Sequence, residues 1–327
     1  MAHQNYLFSQ GFSVNSEDVS NDGEYITSEY EYESTSVSVE GGEVTATPNA
    51  AKYTLKTDKR VPKLGMMIVG LGGNNGTTVA GALIANKHKM TWETKKGEQK
   101  ANFYGSITQA STSCLGTGPD GQEVYVPLKS LLPMVEPDDI VLGGWDISSV
   151  NLADGMKRAM VFEPELQQKL RPHLEGIVPL PAPYYPDFIA ANQGERADNI
   201  LEGSKADHLA TVRKQIRDFK AANDLEKVVV MWSANTERFC DVAEGLNMSA
   251  DELMTSIEND EAELPPSQIF AVACILENVP FINGSPQNTF VPGVVELGAR
   301  IHYGVPCRSL AIAKLSMKGV ARGGAFP

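Results

Sequence analysis

The chain has 327 residues, of which 42% are hydrophobic and 21% are charged, so it can bury a large core and is long enough for two domains. Its formal net charge is −13 and its isoelectric point is about 4.9. This acidity excludes a sequence-independent hold on nucleic acid, which needs clustered Lys and Arg, and it favours a small-molecule partner.

The cysteines and apolar runs indicate a cytoplasmic protein without membrane segments. Cys114, Cys240, Cys274 and Cys307 are far apart and have no His at zinc-ligand spacing, so we expect buried, reduced thiols and no metal site. The longest apolar runs are too short to span a bilayer, and the N-terminal residues lack the basic and apolar regions of a signal peptide.

Residues 1–60 are predicted to form an acidic, β-rich segment. The first 51 residues contain no Lys or Arg. Residues 29–33 (Glu-Tyr-Glu-Tyr-Glu) and 36–40 (Ser-Val-Ser-Val-Glu) alternate with a period of two, which is typical of strands with one solvent-facing side. Such a segment is usually a solvated edge or pairs with a neighbouring element, so we interpret it as structural.

From Lys63 onward, strand and helix signals alternate, which predicts an α/β domain with a mostly parallel, doubly wound sheet over residues 61–297. Four apolar runs end in small or polar loops, at residues 64–69, 140–142, 228–232 and 279–282. Ligands of open α/β sheets bind beyond the carboxyl ends of the strands. The four following loops are therefore expected to form one site.

Helices are predicted between these strands. One apolar helix face is formed by Leu209, Val212, Ile216 and Phe219. This helix is expected to end near Asn223. Ser249 and Glu252 have the spacing of a capping box. The Leu-Pro-Pro run at residues 264–266 is expected to end that helix, with Ser267 capping the next one.

Residues 70–76 (Gly-Leu-Gly-Gly-Asn-Asn-Gly) follow the first strand and resemble a dinucleotide-binding turn, G-x-G-x-x-G. Gly70 and Gly72 fit the pattern, but Asn75 occupies the third glycine position, with Gly76 displaced by one place. A helix is predicted from Thr77, with its N-terminal amides facing phosphates.

The acidic residue that ordinarily binds ribose about 20 residues later is not at an obvious strand end. Five lysines in this region could meet the extra phosphate of NADP or simply lie on the surface: Lys87, Lys89, Lys95, Lys96 and Lys100. Asp146, just beyond the second strand, either binds ribose or orders its own loop. Residues 233–239 and 283–290 suit the orientation of neutral hydroxyls or amides, and also suit plain turns. No motif of metal hydrolysis or nucleophilic acyl transfer is present.

Eight motifs in one order resemble the eukaryotic myo-inositol-1-phosphate synthase (inositol-3-phosphate synthase) family, from about residue 12 to about residue 297. They occupy residues 70–76, 105–111 (Gly-Ser-Ile-Thr-Gln-Ala-Ser), 130–135 (Ser-Leu-Leu-Pro-Met-Val), 143–148 (Gly-Gly-Trp-Asp-Ile-Ser), 151–154 (Asn-Leu-Ala-Asp), 187–193 (Asp-Phe-Ile-Ala-Ala-Asn-Gln), 234–239 (Ala-Asn-Thr-Glu-Arg-Phe) and 283–293 (Asn-Gly-Ser-Pro-Gln-Asn-Thr-Phe-Val-Pro-Gly).

The resemblance implies an NAD-dependent isomerase of inositol and phospholipid biosynthesis that acts as a homotetramer on glucose 6-phosphate. NAD oxidises C5, the ketone assists enolisation and ring closure of C6 onto C1, and the same cofactor reduces the resulting ketone. The implied cofactor-binding residues are Gly72, Gly73, Asn74, Asn75, Asp146, Gln193, Arg196, Ser233, Ala234, Asn235, Thr236, Gly284 and Ser285. The lysines near residue 95 are then surface residues.

After Leu297 the chain departs from the family, which continues into a second domain that carries the catalytic lysines and builds the tetramer. Residues 298–327 contain no acidic residue and five basic ones, so we expect a divergent tail and a truncated chain whose catalytic residues stay unassigned. An alternative hypothesis is an inactive NAD-binding fragment that associates with full-length subunits. A simple dehydrogenase would need a catalytic His or Lys at the strand ends, whereas His88, His173 and His208 lie in predicted helices or links.

Overall fold

The computed structural model describes residues 13–302 and 313–314. These residues form twelve β-strands and eight α-helices. The strands are β1 (Val19–Asn21), β2 (Tyr25–Glu40), β3 (Glu43–Asp58), β4 (Leu64–Val69), β5 (Thr91–Thr94), β6 (Gly97–Lys100), β7 (Thr112–Thr117), β8 (Glu123–Pro127), β9 (Val141–Trp145), β10 (Lys227–Trp232), β11 (Phe281–Asn283) and β12 (Ala313–Lys314). The helices are α1 (Asn74–Lys87), α2 (Ile107–Ala110), α3 (Leu152–Ala159), α4 (Pro164–Leu174), α5 (Lys205–Ala222), α6 (Ala250–Glu258), α7 (Pro266–Leu276) and α8 (Pro292–His302).

The described chain divides into two compact units. The first comprises the described residues of 1–61 together with 103–135, and the second comprises 62–102 and those from 136 onward. The border at Val61 falls beside the boundary predicted after residue 60. Residues 103–135, which the prediction assigned to the NAD-binding domain, lie in the first compact unit, and the predicted domain bounds stay a prediction.

The first unit is built on a long antiparallel hairpin of β2 and β3, in which Tyr30 pairs with Tyr53. The prediction of strands in this segment is confirmed. The prediction of a single solvent-facing side is wrong, because every side chain of β2 from Glu29 onward is exposed. The reason is architectural: no described element of this unit packs as a layer on either face of the ribbon, so both faces remain in water.

The second unit contains a five-stranded parallel sheet in the order β12-β11-β10-β4-β9. The four predicted strands are present, the first with the predicted ends and the other three with shifted ends. The second strand extends to Trp145, and the fourth begins at Phe281, after Pro280. The chain runs from β4 to β9 on one side and then to β10 on the other side of β4, so β4 lies at a topological switch point.

Helices cover both faces of this sheet, which confirms the doubly wound architecture. On one face, α1, α3 and α4 enclose a buried cluster around Leu71, Leu152 and Leu170. On the other face, α5, α6, α7 and α8 enclose a larger cluster that includes Phe270. Trp145 packs edge-on against the Phe270 ring, with centroids 5.0 Å apart.

The predicted helix ends are partly correct. Asn223 caps α5 at its C-terminus, and Ser249 and Glu252 form the capping box of α6. Ser267 does not cap α7. The cap is Pro265, and Ser267 lies buried in the first turn, where its backbone N–H and its hydroxyl both bond to Glu237. A proline at the first helical position already starts the helix, which leaves the serine hydroxyl available for another partner.

Cys240 and Cys274 are buried and free, as predicted, whereas Cys114 is exposed because it lies on the open β7–β8 hairpin. Cys307 lies outside the described residues.

The five lysines of residues 87–100 are all exposed. Residues 298–302 of the predicted tail continue α8, the backbone of β12 pairs with β11, and the rest of the tail lies outside the described residues. Across the described ranges, no helix is both long enough and apolar enough to cross a bilayer.

Candidate functional site

A cleft of about 450 Å³ opens where the carboxyl ends of β9, β4 and β10 meet. Nine of the predicted site residues line it: Gly73, Asn74, Asn75, Asp146, Gln193, Arg196, Ser233, Ala234 and Asn235. Seven residues absent from the prediction complete the lining: Val69, Gly70, Ile147, Ala182, Pro183, Ile189 and Trp232. Val69, Ile147 and Trp232 lie at or just beyond a strand end, and Ile189 lies within the motif at residues 187–193, whereas Ala182 and Pro183 have neither signal in the sequence.

The turn after β4 is held by its backbone. The amides of Gly70 and Leu71 both donate to Trp145 O, at 2.8 and 2.9 Å. Gly70 has φ +88°, and a Cβ at this position would lie 2.7 Å from the Cα of Ala234. Only glycine fits both the left-handed backbone and the close approach of the loop after β10.

Helix α1 begins at Asn74, three residues earlier than predicted. Its N-cap, Gly73, has extended backbone and provides no side-chain cap. The first-turn amides, including those of Asn74 and Asn75, thus point out of the helix at its positive end, which is a ready site for an anion. The two asparagines are therefore helical residues and not part of the loop. A Cβ at Gly76 would strike the backbone of Leu71, so this glycine permits the tight turn into the helix.

Charged groups gather beside this turn. Asp146 is only 4% exposed, and its Oδ1 accepts hydrogen bonds from the Ser148 amide at 3.0 Å and from Arg196 Nη2 at 3.4 Å. Arg158 Nη2 donates to Gly72 O at 2.6 Å. Burial raises the pKa of Asp146, while the Ser148 amide and the Arg196 charge oppose that rise. Asp146 both orders its own loop and faces the cleft, so the two interpretations of this residue are compatible.

The turn at Ala191–Arg196 brings two further predicted residues to the cleft. Arg196 Nη1 donates to Gln193 Oε1 at 3.1 Å, which fixes both side chains. Arg196 Nε is buried and has no hydrogen-bond partner among the described residues. A hydroxyl or phosphate oxygen of a bound ligand would satisfy it.

The loop after β10 forms the opposite wall. The Ser233 amide and hydroxyl both donate to Val69 O, at 2.9 and 3.3 Å. Four predicted residues do not line the cleft. Gly72 lies against Asp146, Gly284 donates from its amide to Trp232 O, Ser285 Oγ donates to Ala234 O, and Thr236 is exposed.

The residues present fit a dinucleotide. Open helix-terminal amides and two guanidinium groups suit the pyrophosphate, and a buried carboxylate suits ribose hydroxyls. No Lys or His is found among the cleft-lining side chains of the described chain. His208 instead bonds Tyr185, and His88 stacks on His173. Nor do the described residues contain any group of three or more His, Cys, Asp or Glu that could hold a metal ion.

Comparisons with known proteins agree with this geometry. A family model described as myo-inositol-1-phosphate synthase matches residues 64–307. The inositol-3-phosphate synthase of Dictyostelium discoideum is 50% identical over 311 residues, which cover 95% of this chain and 61% of that protein. Isozyme 1 of Arabidopsis thaliana is 51% identical over 300 residues, which cover 90% of this chain and 58% of that protein.

The crystal structure of inositol-3-phosphate synthase from Caenorhabditis elegans matches with a TM-score of 0.85 at 48% identity, over 89% of this chain and 57% of that one. The chain spans about 60% of the length of the curated relatives it matches. The matching family model is named for NAD binding, which confirms NAD as the cofactor of this domain. By the extent of the match, the chain belongs to the myo-inositol-1-phosphate synthase family.

Proposed function

We propose that this chain provides the NAD-binding part of an inositol-3-phosphate synthase that isomerises glucose 6-phosphate to 1D-myo-inositol 3-phosphate. The observation that carries the proposal is the cleft at the switch point. There the uncapped N-terminus of α1 lies beside a buried carboxylate and two guanidinium groups. The relatives named above support the reaction, since they are inositol-3-phosphate synthases.

When bound, NAD would supply reversible hydride transfer, which is compatible with an isomerisation that has no net redox change. The turn between β4 and α1 would bind the pyrophosphate. Gly72 and Gly73 would allow backbone to approach it, and the amides of Asn74 and Asn75 would donate to its oxygens. Arg158, anchored on Gly72 O, adds positive charge to this turn without lining the cleft.

The ribose end is bound by Asp146, whose carboxylate accepts hydrogen bonds from ribose hydroxyls. Because Arg196 already pairs with Asp146 and Gln193, the three side chains act as one preordered group. The unpartnered Arg196 Nε donates to the ligand. Because these side chains are already ordered in the cofactor-free protein, cofactor binding does not lose the entropy of ordering them.

The loops after β10 and β11 would hold the nicotinamide end. Ser233, Ala234 and Asn235 line the cleft directly, and Thr236 continues their loop. Gly284 and Ser285 support that loop through their bonds to Trp232 O and Ala234 O. Apolar lining residues such as Val69 and Ile189 exclude water from the reacting end.

Ring closure also needs acids, bases and an anchor for the sugar phosphate. Because the cleft lining of the described chain offers no Lys or His, these groups come from residues outside that lining. The family resemblance assigns them to lysines of a second domain and places the enzyme in a homotetramer that serves phospholipid biosynthesis. Both assignments belong to this proposal.

The proposal is tested with the chain itself and with a version extended by the family's second domain. Calorimetric titration with NAD is expected to show binding by both proteins. Turnover of glucose 6-phosphate to inositol phosphate is expected from the extended version. Absence of NAD binding by the chain would overturn the proposal. NAD binding by both proteins without turnover by either would favour the alternative of a silent, subunit-associating fragment.

A further inference from the structure

Glu237 is a buried carboxyl that the proposed cofactor site does not use. It follows the cleft-lining residues of the loop after β10, is only 2% exposed, and does not itself line the cleft. Its Oε1 accepts a hydrogen bond from the Ser267 amide at 2.9 Å, and its Oε2 hydrogen bonds to Ser267 Oγ. The side chain thus ties the loop after β10 to the first turn of α7.

A chain of buried hydrogen bonds continues from Ser267 to the loop after β11. Ser267 Oγ lies 2.8 Å from Thr289 Oγ1, and Asn283 Nδ2 donates to the same Thr289 oxygen at 3.1 Å. Asn283 Oδ1 in turn accepts from the Ser285 amide at 3.0 Å. Ser267, Thr289 and Asn283 are at most 1% exposed, so water cannot replace these bonds.

The loops joined by this chain also touch each other at the cleft. Gly284 donates to Trp232 O at 3.0 Å, and Ser285 Oγ donates to Ala234 O at 3.3 Å. Both hydrogen bonds require a fixed position of one loop relative to the other. A buried polar group without a partner is destabilising, so the network strongly favours the one arrangement of both loops in which every member is paired.

The protonation state of Glu237 suits this role. Burial raises its pKa to about 8, so near neutral pH the group is mostly a carboxylic acid, with one oxygen accepting from the Ser267 amide and the other sharing a hydrogen bond with Ser267 Oγ. An amide in the same place would do the same. Arg238 points away from this network, forming a bidentate pair with Glu263 and packing on the Phe188 ring.

We propose that Glu237 is a positioning residue for the cofactor cleft. Through Ser267, Thr289 and Asn283 it fixes the loop after β10 relative to the loop after β11, and so holds Ser233, Ala234 and Asn235 in place for the nicotinamide end of NAD. This inference rests on the proposed function for its consequence in binding. Its structural part, the coupling of two loops, is independent of the cofactor.

The test uses two isosteric breaks of the network, Glu237→Met and Thr289→Val, their double variant, and the conservative Glu237→Gln. Calorimetric titration with NAD at pH 7 is expected to show about tenfold weaker binding for each single break. The double variant is expected to bind no more weakly than either single break, because both act through one chain. Glu237→Gln is expected to bind NAD with an affinity within twofold of the wild type.

Ser256→Ala is the matched control. It removes a buried hydrogen bond from the Ser256 hydroxyl to Leu246 O, away from the cleft, and should leave NAD affinity unchanged.

Amide hydrogen exchange in the cofactor-free protein separates this inference from the proposed function. Either break is expected to raise exchange at least tenfold in both loops, residues 233–236 and 283–290, while Glu237→Gln and Ser256→Ala leave both protected. Faster exchange confined to the mutated loop, or additive effects in the double variant, would overturn the inference. A wild-type chain that fails to bind NAD but shows coupled exchange would instead refute the proposed function alone.

Discussion

The turn after β4 and the loops after β10 and β11 reach the same cleft, but different interactions hold them. Backbone groups fix the turn: Gly70 and Leu71 donate to Trp145 O, and glycines allow the close approaches. Buried side chains fix the two loops, chiefly Glu237, Ser267 and Thr289. The turn after β4 therefore tolerates almost no added side-chain atom. The loops after β10 and β11 depend more on the hydrogen-bonding groups of their side chains than on side-chain size.

The largest effect is expected from adding a side-chain atom to the turn after β4. Gly70→Ala should destabilise the fold by about 4 kcal/mol, since backbone strain and overpacking each cost roughly 1–3 kcal/mol. NAD affinity should fall at least about 100-fold, because the turn that presents the α1 amides must shift. Urea unfolding and calorimetric titration measure the two effects.

Gly245→Ala is the matched control, with φ +77° but open space around its Cβ. It should cost about 1 kcal/mol and leave binding unchanged. Equal effects of the two changes would contradict the steric account.

The next largest effect is the pH dependence of the stability that the Glu237 carboxyl contributes. The folded-state pKa of Glu237, about 8, lies above its ordinary value of 4.5. Between these values the native state holds a proton that the unfolded chain has lost, so the stability due to this group falls as pH rises. Relative to Glu237→Gln, the wild type should lose roughly 2–3 kcal/mol of its free energy of unfolding between pH 5.5 and 7.5.

Urea unfolding of both proteins across this range checks that expectation. Tyr185, a titratable group near Glu237, does not interfere. Burial and then the Asp260 and Glu237 carboxyls raise its pKa above the usual 10.0, so it stays neutral throughout this pH range. Parallel pH profiles of the two proteins would show that Glu237 is already ionised in the fold.

A smaller effect is expected at Asp146, which lines the cleft and which the proposed function assigns to the ribose of NAD. Asp146→Asn should weaken NAD binding about tenfold, or about 1.4 kcal/mol, and narrow the preference for NAD over NADP, because the carboxylate no longer repels a ribose phosphate. Titration with both dinucleotides measures this. Asp154→Asn, whose carboxylate pairs with Arg171 outside the cleft lining, is the control. Unchanged binding in Asp146→Asn would limit this residue to ordering its loop.

The smallest effect is at the cap of α6, away from both walls. Ser249→Ala removes the hydroxyl that accepts the Glu252 amide and should cost about 1 kcal/mol of stability, as N-cap losses do. NAD affinity should stay within twofold of the wild type. Thermal unfolding and titration test both statements. A parallel loss of binding would show that the cleft responds to general stability and not to its own interactions.

Much of this molecule followed from local sequence. Alternation of apolar runs with polar loops predicted the parallel sheet, and the Ser249–Glu252 spacing predicted a capping box that the structure contains. These features depend on neighbours within a few residues, so sequence periodicity carries them. The prediction that Ser267 caps α7 was wrong, because the Ser267 hydroxyl hydrogen bonds to Glu237, about 30 residues away in the chain.

The sequence by itself determined the fold class, the glycine turn and, through its motifs, the family and NAD. Only the tertiary structure decided that Asn74 and Asn75 belong to α1, that apolar residues such as Ile189 complete the cleft, and that Glu237 joins two loops. The physical reason is separation along the chain. Turn and strand preferences are local, whereas burial, the pKa of a carboxyl and a hydrogen-bond chain from residue 237 to 289 depend on how distant segments pack.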